Sequence, residues 1–437
     1  MVTPIKPLIN IELNEINFDL VKKYIEEGTL GLSGFRNLLT LNNINTTSED
    51  VYEQVEPWIQ WVSVHTGLNF DEHKIFRLGD IKNTSIAQIF EITEKKGYSV
   101  GCVSPMNTSN RLQAPKYFIP DPWTDTQPDN SYLSRCIHKL IVQTVNDNAK
   151  GRIKPLSIYY LLLTFISCAQ LKHYPIYLKC MLNSLNKRWF KALFFDLLIH
   201  DIHISLFKRK RPDFSTVFFN AGAHIQHHYL LYSKYVNNEA SDWVSSRDLI
   251  LKKQDPFGDM LLIYDFLIRD YLSLENTNLI LSTGLTQIPY DRTKYYYRLK
   301  THTEFLTHIG ISHLDVYPRM TRDFLVTFET THQAVEAESR LSLILINDTD
   351  RMFDSIDNRG TSLFVTLTYP KEITSTDFIK LGDVNLSIQP HVVFVAIKNA
   401  MHSSKGFAFF SKDLQKIAPS NGSHVKSIFD TMDAYLA

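Results

Sequence analysis

The residues best suited to chemistry lie between Pro212 and Leu230, PDFSTVFFNAGAHIQHHYL, where an apolar run passes through Asn220, Ala221 and Gly222 into a histidine-rich stretch. His224 and His228 are four residues apart. On a helix that spacing stacks two side chains on one face, which is how paired histidines grip a single metal ion. Neutral imidazole is the commonest biological metal ligand. Capping or core histidines share the same spacing, but open α/β sheets bind ligands at the carboxyl ends of their strands, and this pair follows a strand-like run. The neighbouring His227 points to another helix face and reads as a supporting or surface residue. Trp58 and Trp61 bracket Gln60 in EPWIQWVSVHTG and suit either stacking on a sugar or base or packing in a core. His65 and Thr66 follow in the same segment. Lys398 stands four residues before His402, where it would meet an anionic ligand or extend into solvent.

The elements that must position these groups alternate. Residues 8 to 14, LINIELN, read as a buried strand, and Phe18 to Glu27 as a helix stopped by Gly28. A helical pattern from Ser85 to Lys96 leads into the strand YSVGCVSPM, and a Pro-, Asn- and Asp-rich loop covers 108 to 130. Further strand patterns fall at Phe214–Asn220, Asn278–Ser282, Leu341–Ile346, Thr361–Thr368 and His391–Ile397. Such alternation builds an α/β fold with a mostly parallel central sheet and helices on both faces. Between Pro155 and Arg211 the pattern becomes continuously helical and ends in KRKRPD. The sequence thus divides into 1–150 as the first part of the α/β core, 151–211 as a helical insertion or cap, and 212–437 as the second part of the core.

Lys+Arg and Asp+Glu are equal at 46 each, so no global field draws the chain to nucleic acid. Four separated cysteines, with no C-x-x-C pair, fit a reduced, cytoplasmic setting. The first residues do not read as a signal peptide. The longest apolar stretch, Leu156 to Ala169, is too short to span a bilayer, so no integral membrane association is expected.

These segments together resemble the alkaline phosphatase superfamily, in particular its nucleotide pyrophosphatase/phosphodiesterase and sulfatase branch. The opening IELNEINFDLVKKY has the layout of the family's first strand, metal-ligand position and helix, with Asn14 on the ligand position. SVHTGLNFDEHKIF, Ser63 to Phe76, is similar to the stretch after the family's nucleophile, and NLILSTGLTQ lies where a later metal-binding strand belongs. The resemblance implies that His224 and His228 bind one metal ion with a third ligand, His402, from KNAMHSSKGF. It also implies that a second ion is missing, because Asn14, Thr283 and Gly284 stand at its ligand positions, and that the nucleophile is replaced near Pro57.

The resulting expectation is a metal-dependent hydrolase or transferase acting on a small-molecule or glycan phosphoester, phosphodiester or related ester. It would use one ion, zinc or another divalent metal, and activated water. Glu56 would serve as general base, with His65 and Thr66 beside it and Asn14, Trp58 and Lys398 toward the substrate. The alternatives are a catalytically silent relative that binds a phosphorylated or glycan ligand, and a hydrolase of another ester.

Overall fold

The computed structural model describes residues 5–28, 30–148, 155–236, 254–290, 294–319, 322–381, 384–397 and 399–437. Lys398 lies outside the described residues. Contacts group the chain differently from the three sequence segments: one unit takes up residues 1–239, 244–289 and 399–437, and a second takes up 240–243 and 290–398.

The first unit is an α/β layer structure. Its helices are α1 (Phe18–Glu26), α2 (Ser33–Leu39), α3 (Pro57–Thr66), α4 (Phe70–His73), α5 (Ile89–Lys95), α6 (Tyr132–Asn148), α7 (Pro155–Cys168), α8 (Tyr174–Ser184), α9 (Phe190–Lys210), α10 (Ala221–Tyr229) and α11 (Pro256–Leu272), with a last helix at Ser427–Tyr435. Its strands are β1 (Leu8–Leu13), β2 (Asn42–Thr46), β3 (Val100–Val103), β4 (Tyr117–Ile119), β5 (Phe214–Phe219), β6 (Asn278–Ser282) and β7 (Thr286–Pro289), followed by Ala400–Ser403 and Gly406–Phe410.

Seven strands form one mixed sheet in the order β2, Gly406–Phe410, β6, β1, β5, β3, β4. β1 is central and parallel to both neighbours, with Leu8 opposite Phe214 and Asn278. β3 runs parallel to β4 and β5, and only Gly406–Phe410 pairs antiparallel, with β2 and β6. β4 is a short strand inside the stretch read from sequence as loop. Parallel strands buried on both faces should be nearly continuous apolar runs, and β1, β5 and β6 are. Alternation sends Ile9, Ile11, Val217 and Phe219 into a core shared with α1, α2, α9 and α11, while Leu8, Phe214 and Phe218 enter a second core with α3, α5 and the last helix.

Within 155–210, α9 packs on β3 and β5 and buries residues almost all round, whereas α7 and α8 pack on α9. Beneath them lies a knot of charge. Asp201 accepts from His173 Nδ1 at 2.7 Å, His200 Nδ1 at 3.1 Å, the Tyr177 hydroxyl at 2.9 Å and the Gln170 backbone N–H at 2.8 Å. His173 Nε2 lies 3.2 Å from Asp270, which Lys172 also reaches at 2.6 Å. Burial works to lower His173, but its bonds to Asp201 and Asp270 outweigh it and push the imidazole up to about 9. Two carboxylates are thereby balanced by His173 and Lys172.

The second unit has its own core around Phe305, Phe324, Leu341 and Ile379. It is built of short antiparallel strands with α12 (His302–His308) and α13 (Thr331–Ser342). The sequence pattern placed a strand at Leu341–Ile346, but Leu341 closes the buried face of α13 and only Leu345–Ile346 pair as a strand. The apolar run LSLILI fits both periods, and α13 is favoured by a capping box in which Thr330 and Gln333 bond reciprocally.

The charge knot sets a pH dependence. A histidine raised on folding gives stabilisation that is complete below its unfolded pKa of about 6.5 and is lost as pH rises through the folded value. Thermal unfolding should therefore show Tm falling between pH 7 and 9.5, with most of that slope gone in His173→Gln. Asp201→Ala should cost about 3–5 kcal/mol at pH 7, because it leaves a buried imidazolium with one partner removed.

Candidate metal site

The carboxyl ends of β1, β5 and β6 converge on one buried acid, Glu15. It follows Asn14 directly after β1 and takes a left-handed backbone, φ 63°, rare for a residue with a side chain. Its N–H donates to Thr283 O at 3.0 Å and its carbonyl accepts from Gln226 Nε2 at 2.9 Å. One carboxylate oxygen takes a bond from Asn14 Nδ2 at 3.0 Å, and the other takes one from Gln287 Nε2.

That second oxygen, Oε2, lies 3.2 Å from His227 Nε2 and 3.2 Å from His402 Nε2, and the two ring nitrogens are 3.3 Å apart. Ligand atoms bonded to one zinc ion at 2.0–2.1 Å in tetrahedral geometry stand about 3.3 Å from one another. The three donors form a triangle of that size. Burial would raise the Glu15 carboxyl, but His402 and His227 outweigh it and hold it well below the usual range, so the acid is ionised as a ligand must be. The outer nitrogen of His402, Nδ1, faces Glu56 at 3.3 Å. A carboxylate on the far side of a ligating imidazole fixes its tautomer and orientation.

Each donor is placed by a different element. His227 rides on α10, whose first N–H groups are capped from a distance by Asp196: Ala221 N donates at 2.8 Å, while Gly222 N donates to Tyr264 at 2.9 Å. A Cβ on Gly222 would stand 2.0 Å from the end of the Ile16 side chain, so a larger residue there would push Ile16 aside where α10 meets the turn that carries Glu15. His402 sits on Ala400–Ser403, paired antiparallel with β7 so that it lies opposite Gln287. Glu56 is the residue before Pro57 at the start of α3.

Among the described residues two sets of three donors come within 4.8 Å of one another: Glu15, His227, His402 and His173, His200, Asp201. Neither contains His224 or His228. The structure thus brings His402 together with His227 and Glu15, and not with His224 and His228. The reason is rotational. At 100° per residue His227 is 100° from His228 and 60° from His224 on the opposite side, so turning His227 toward β1 turns the other two aside. Their own rings are neighbours, with centroids 4.5 Å apart.

Of the residues expected to catalyse, Glu56 joins the cluster through His402. His65 does not: it is buried, with Nε2 2.7 Å from Glu12 and Nδ1 3.1 Å from Thr108. The Thr66 hydroxyl donates to Val62 O within α3 at 2.7 Å. Trp58 donates to Phe76 O at 3.1 Å and packs at the edge of a core. Asn14, expected toward substrate, spends its amide on Glu15 and Asn220 and accepts from Trp61 Nε1 at 2.8 Å. The Trp61 indole also lies 3.2 Å from where a Gly284 Cβ would be, so one ring lies against both Asn14 and Gly284. Glu15 was visible in sequence only as an acid flanking Asn14, because nothing local announces its left-handed turn.

No protein-family model matches the chain, and no curated protein matches it. Solved chains that match include alkaline phosphatase superfamily members. Phosphonoacetate hydrolase from Sinorhizobium meliloti is 11% identical, covering 99% of this chain and 96% of its own, at a TM-score of 0.41. Murine ectonucleotide pyrophosphatase/phosphodiesterase 5 is 9% identical over 99% and 95%, at 0.38. Wild-type alkaline phosphatase PafA is 11% identical over 100% and 96%, at 0.43.

Metal analysis of purified protein tests the triangle. His227→Ala and His402→Ala should each strip most of the bound divalent metal, and Glu56→Gln should weaken affinity about 10- to 100-fold. His228→Ala should leave it unchanged; loss of metal in that variant with His227→Ala unaffected would restore the spacing-based set.

Proposed function

We propose that Glu15, His227 and His402 hold a single divalent cation, zinc by the character of the donors, and that the chain is a metal-dependent hydrolase or transferase of phosphoesters. The observation that carries this reading is the 3.2, 3.2 and 3.3 Å triangle of donor atoms, with Glu56 behind one ring. Two imidazoles and one carboxylate leave a coordination position open. An ion held by Glu15, His227 and His402 would supply Lewis acidity toward an ester oxygen and lower the pKa of water bound to it. The ester class comes from the sequence resemblance.

The protein's own residues do the rest. Glu56 keeps the His402 Nδ1 proton in place, so that the Nε2 lone pair is the one turned toward Glu15 and His227. Gln287, bonded to Glu15 and to Ala223 O at 3.1 Å, stops the acid from rotating. The hydroxyls of Ser63 and Thr66 are engaged with carbonyls of their own helix, and Pro57 has no nucleophilic atom, so no covalent phospho-enzyme forms. Charge selects the substrate. A divalent ion with ionised Glu15 and two neutral imidazoles has a net charge of +1, and Glu56 nearby reduces it further. That balance suits a singly charged diester better than a doubly charged monoester.

Hydrolysis of bis(p-nitrophenyl) phosphate and of p-nitrophenyl phosphate by the metal-loaded protein tests this. Diester turnover should exceed monoester turnover, fall about 10²-fold or more in His227→Ala, and persist in Thr66→Ala. Turnover abolished by Thr66→Ala with metal retained, or a trapped phosphothreonine, would refute the direct route. Metal bound without turnover of any ester would instead support the silent, ligand-binding relative.

A further inference from the structure

Outside the metal site, the least expected surface is the α7–α8 layer. Eleven of the 24 exposed large apolar side chains among the described residues fall between Leu156 and Leu185. α7 is apolar nearly all round. Tyr160, Thr164 and Cys168 bury one face, while Leu156, Leu162 and Ile166 hold the other in solvent, Ile166 at 80% exposure. α8 does the same, burying Tyr177 and Cys180 and exposing Leu178, Leu182 and, just beyond its end, Leu185 at 80%. Phe165 of α7 packs on Tyr174 and Tyr177, with centroids 5.3 and 4.8 Å away, and joins the two helices. A helix apolar on both faces needs cover on both, and a soluble monomer rarely leaves so many apolar groups together in water.

Charge identifies the cover. From Pro155 to Phe195 the sequence contains no Asp or Glu but has Lys172, Lys179, Lys187, Arg188 and Lys191. Two of these are used internally, Lys172 by Asp270 and Lys187 by Asp259 of α11. Lys179, Arg188 and Lys191 are exposed. The basic end of α9, Lys208 to Arg211, is exposed as well, and Arg209 donates to Ser167 O at 2.6 Å, which brings that run to the end of α7. An apolar face on helices that carry no acid of their own, rimmed by the exposed Lys179, Arg188, Lys191 and the basic end of α9, matches an anionic lipid surface. A second copy docking through the same face would set one basic rim against another. Among the described residues no helix is long and apolar enough to cross a membrane, so this contact lies along the surface.

We propose that the α7–α8 layer seats the protein on anionic membrane surfaces, its exposed leucines and Ile166 entering the headgroup boundary and its lysines and arginines meeting lipid charge. The proposal is independent of the metal site. The test is co-sedimentation of the full chain with phosphatidylcholine vesicles, with and without 30% phosphatidylserine, at low and high salt. Binding should appear with the anionic vesicles, weaken by tenfold or more in 0.5 M salt, and vanish in the double variant Ile166→Glu/Leu185→Glu. These two side chains are the most exposed of the set, so the variant should fold. Its melting temperature and bound metal, unchanged from wild type, would establish that. The proposal is overturned if the folded wild type does not bind anionic vesicles or if the double variant binds them equally. It is also overturned if the wild type sediments as a dimer that the variant dissolves, which would make a second copy the cover.

Discussion

Everything about the first unit's crevice follows from one constraint: a buried carboxylate, Glu15, held in a left-handed turn at the end of the central strand. Such a backbone costs of order 1–3 kcal/mol and a buried charge several more unless it is paired, so the surroundings must supply both rigidity and countercharge. Thr283 and Gln226 clamp the backbone, Gln287 and Asn14 clamp the carboxylate, and the imidazoles of His227 and His402 favour its charge. These partners come from β6's end, α10, β7 and the strand Ala400–Ser403. The late strand Ala400–Ser403 pairs with β7 in a two-stranded ribbon of its own, which sets His402 beside Glu15, and Gly222 lets α10 lie close against Ile16 of the β1 turn.

Two clusters of histidine and carboxylate lie in this unit, and distance separates their roles. Around Asp201 the nearest nitrogen is 2.7 Å away, a hydrogen-bond length too short for two ligands on one tetrahedral ion. That cluster is a charge knot beneath α7 and α8, where the cations of His173 and Lys172 offset two acids. Around Glu15 the separations widen to 3.2–3.3 Å, the spacing an ion between the donors would impose. The same residue types thus brace one another in one place and stand at the spacing of candidate ligands in the other.

What the sequence made legible was whatever depends on local pattern. β1, β5 and β6 could be read because strands buried on both faces must be apolar throughout. The choice among His224, His227 and His228 was not legible, since spacing sets which residues share a helix face but not which face turns toward the sheet. That rotation is fixed by Gly222 against Ile16 and by Asp196 at the head of α10, contacts distant in sequence. Glu15 was hidden for the same reason: a left-handed turn at a non-glycine residue is imposed by Thr283 and Gln226 from outside. α9 gave no face to read because it is buried nearly all round, and the boundary at residue 290 carried no compositional mark.

The neutral amides around the site complete the logic. Asn14 and Asn220 face each other at 2.9 Å, and the Trp61 indole donates to Asn14 while packing on Gly284. Acids in both amide positions would place two more negative charges within about 3 Å of each other beside ionised Glu15, which only further cations could offset. Amides avoid that repulsion and satisfy one another, so these two positions add no buried charge beside Glu15. Electrostatic power in the crevice is therefore concentrated at the Glu15 triangle, and the way Glu56 and Gln287 hold that triangle sets how much of it reaches a bound ligand.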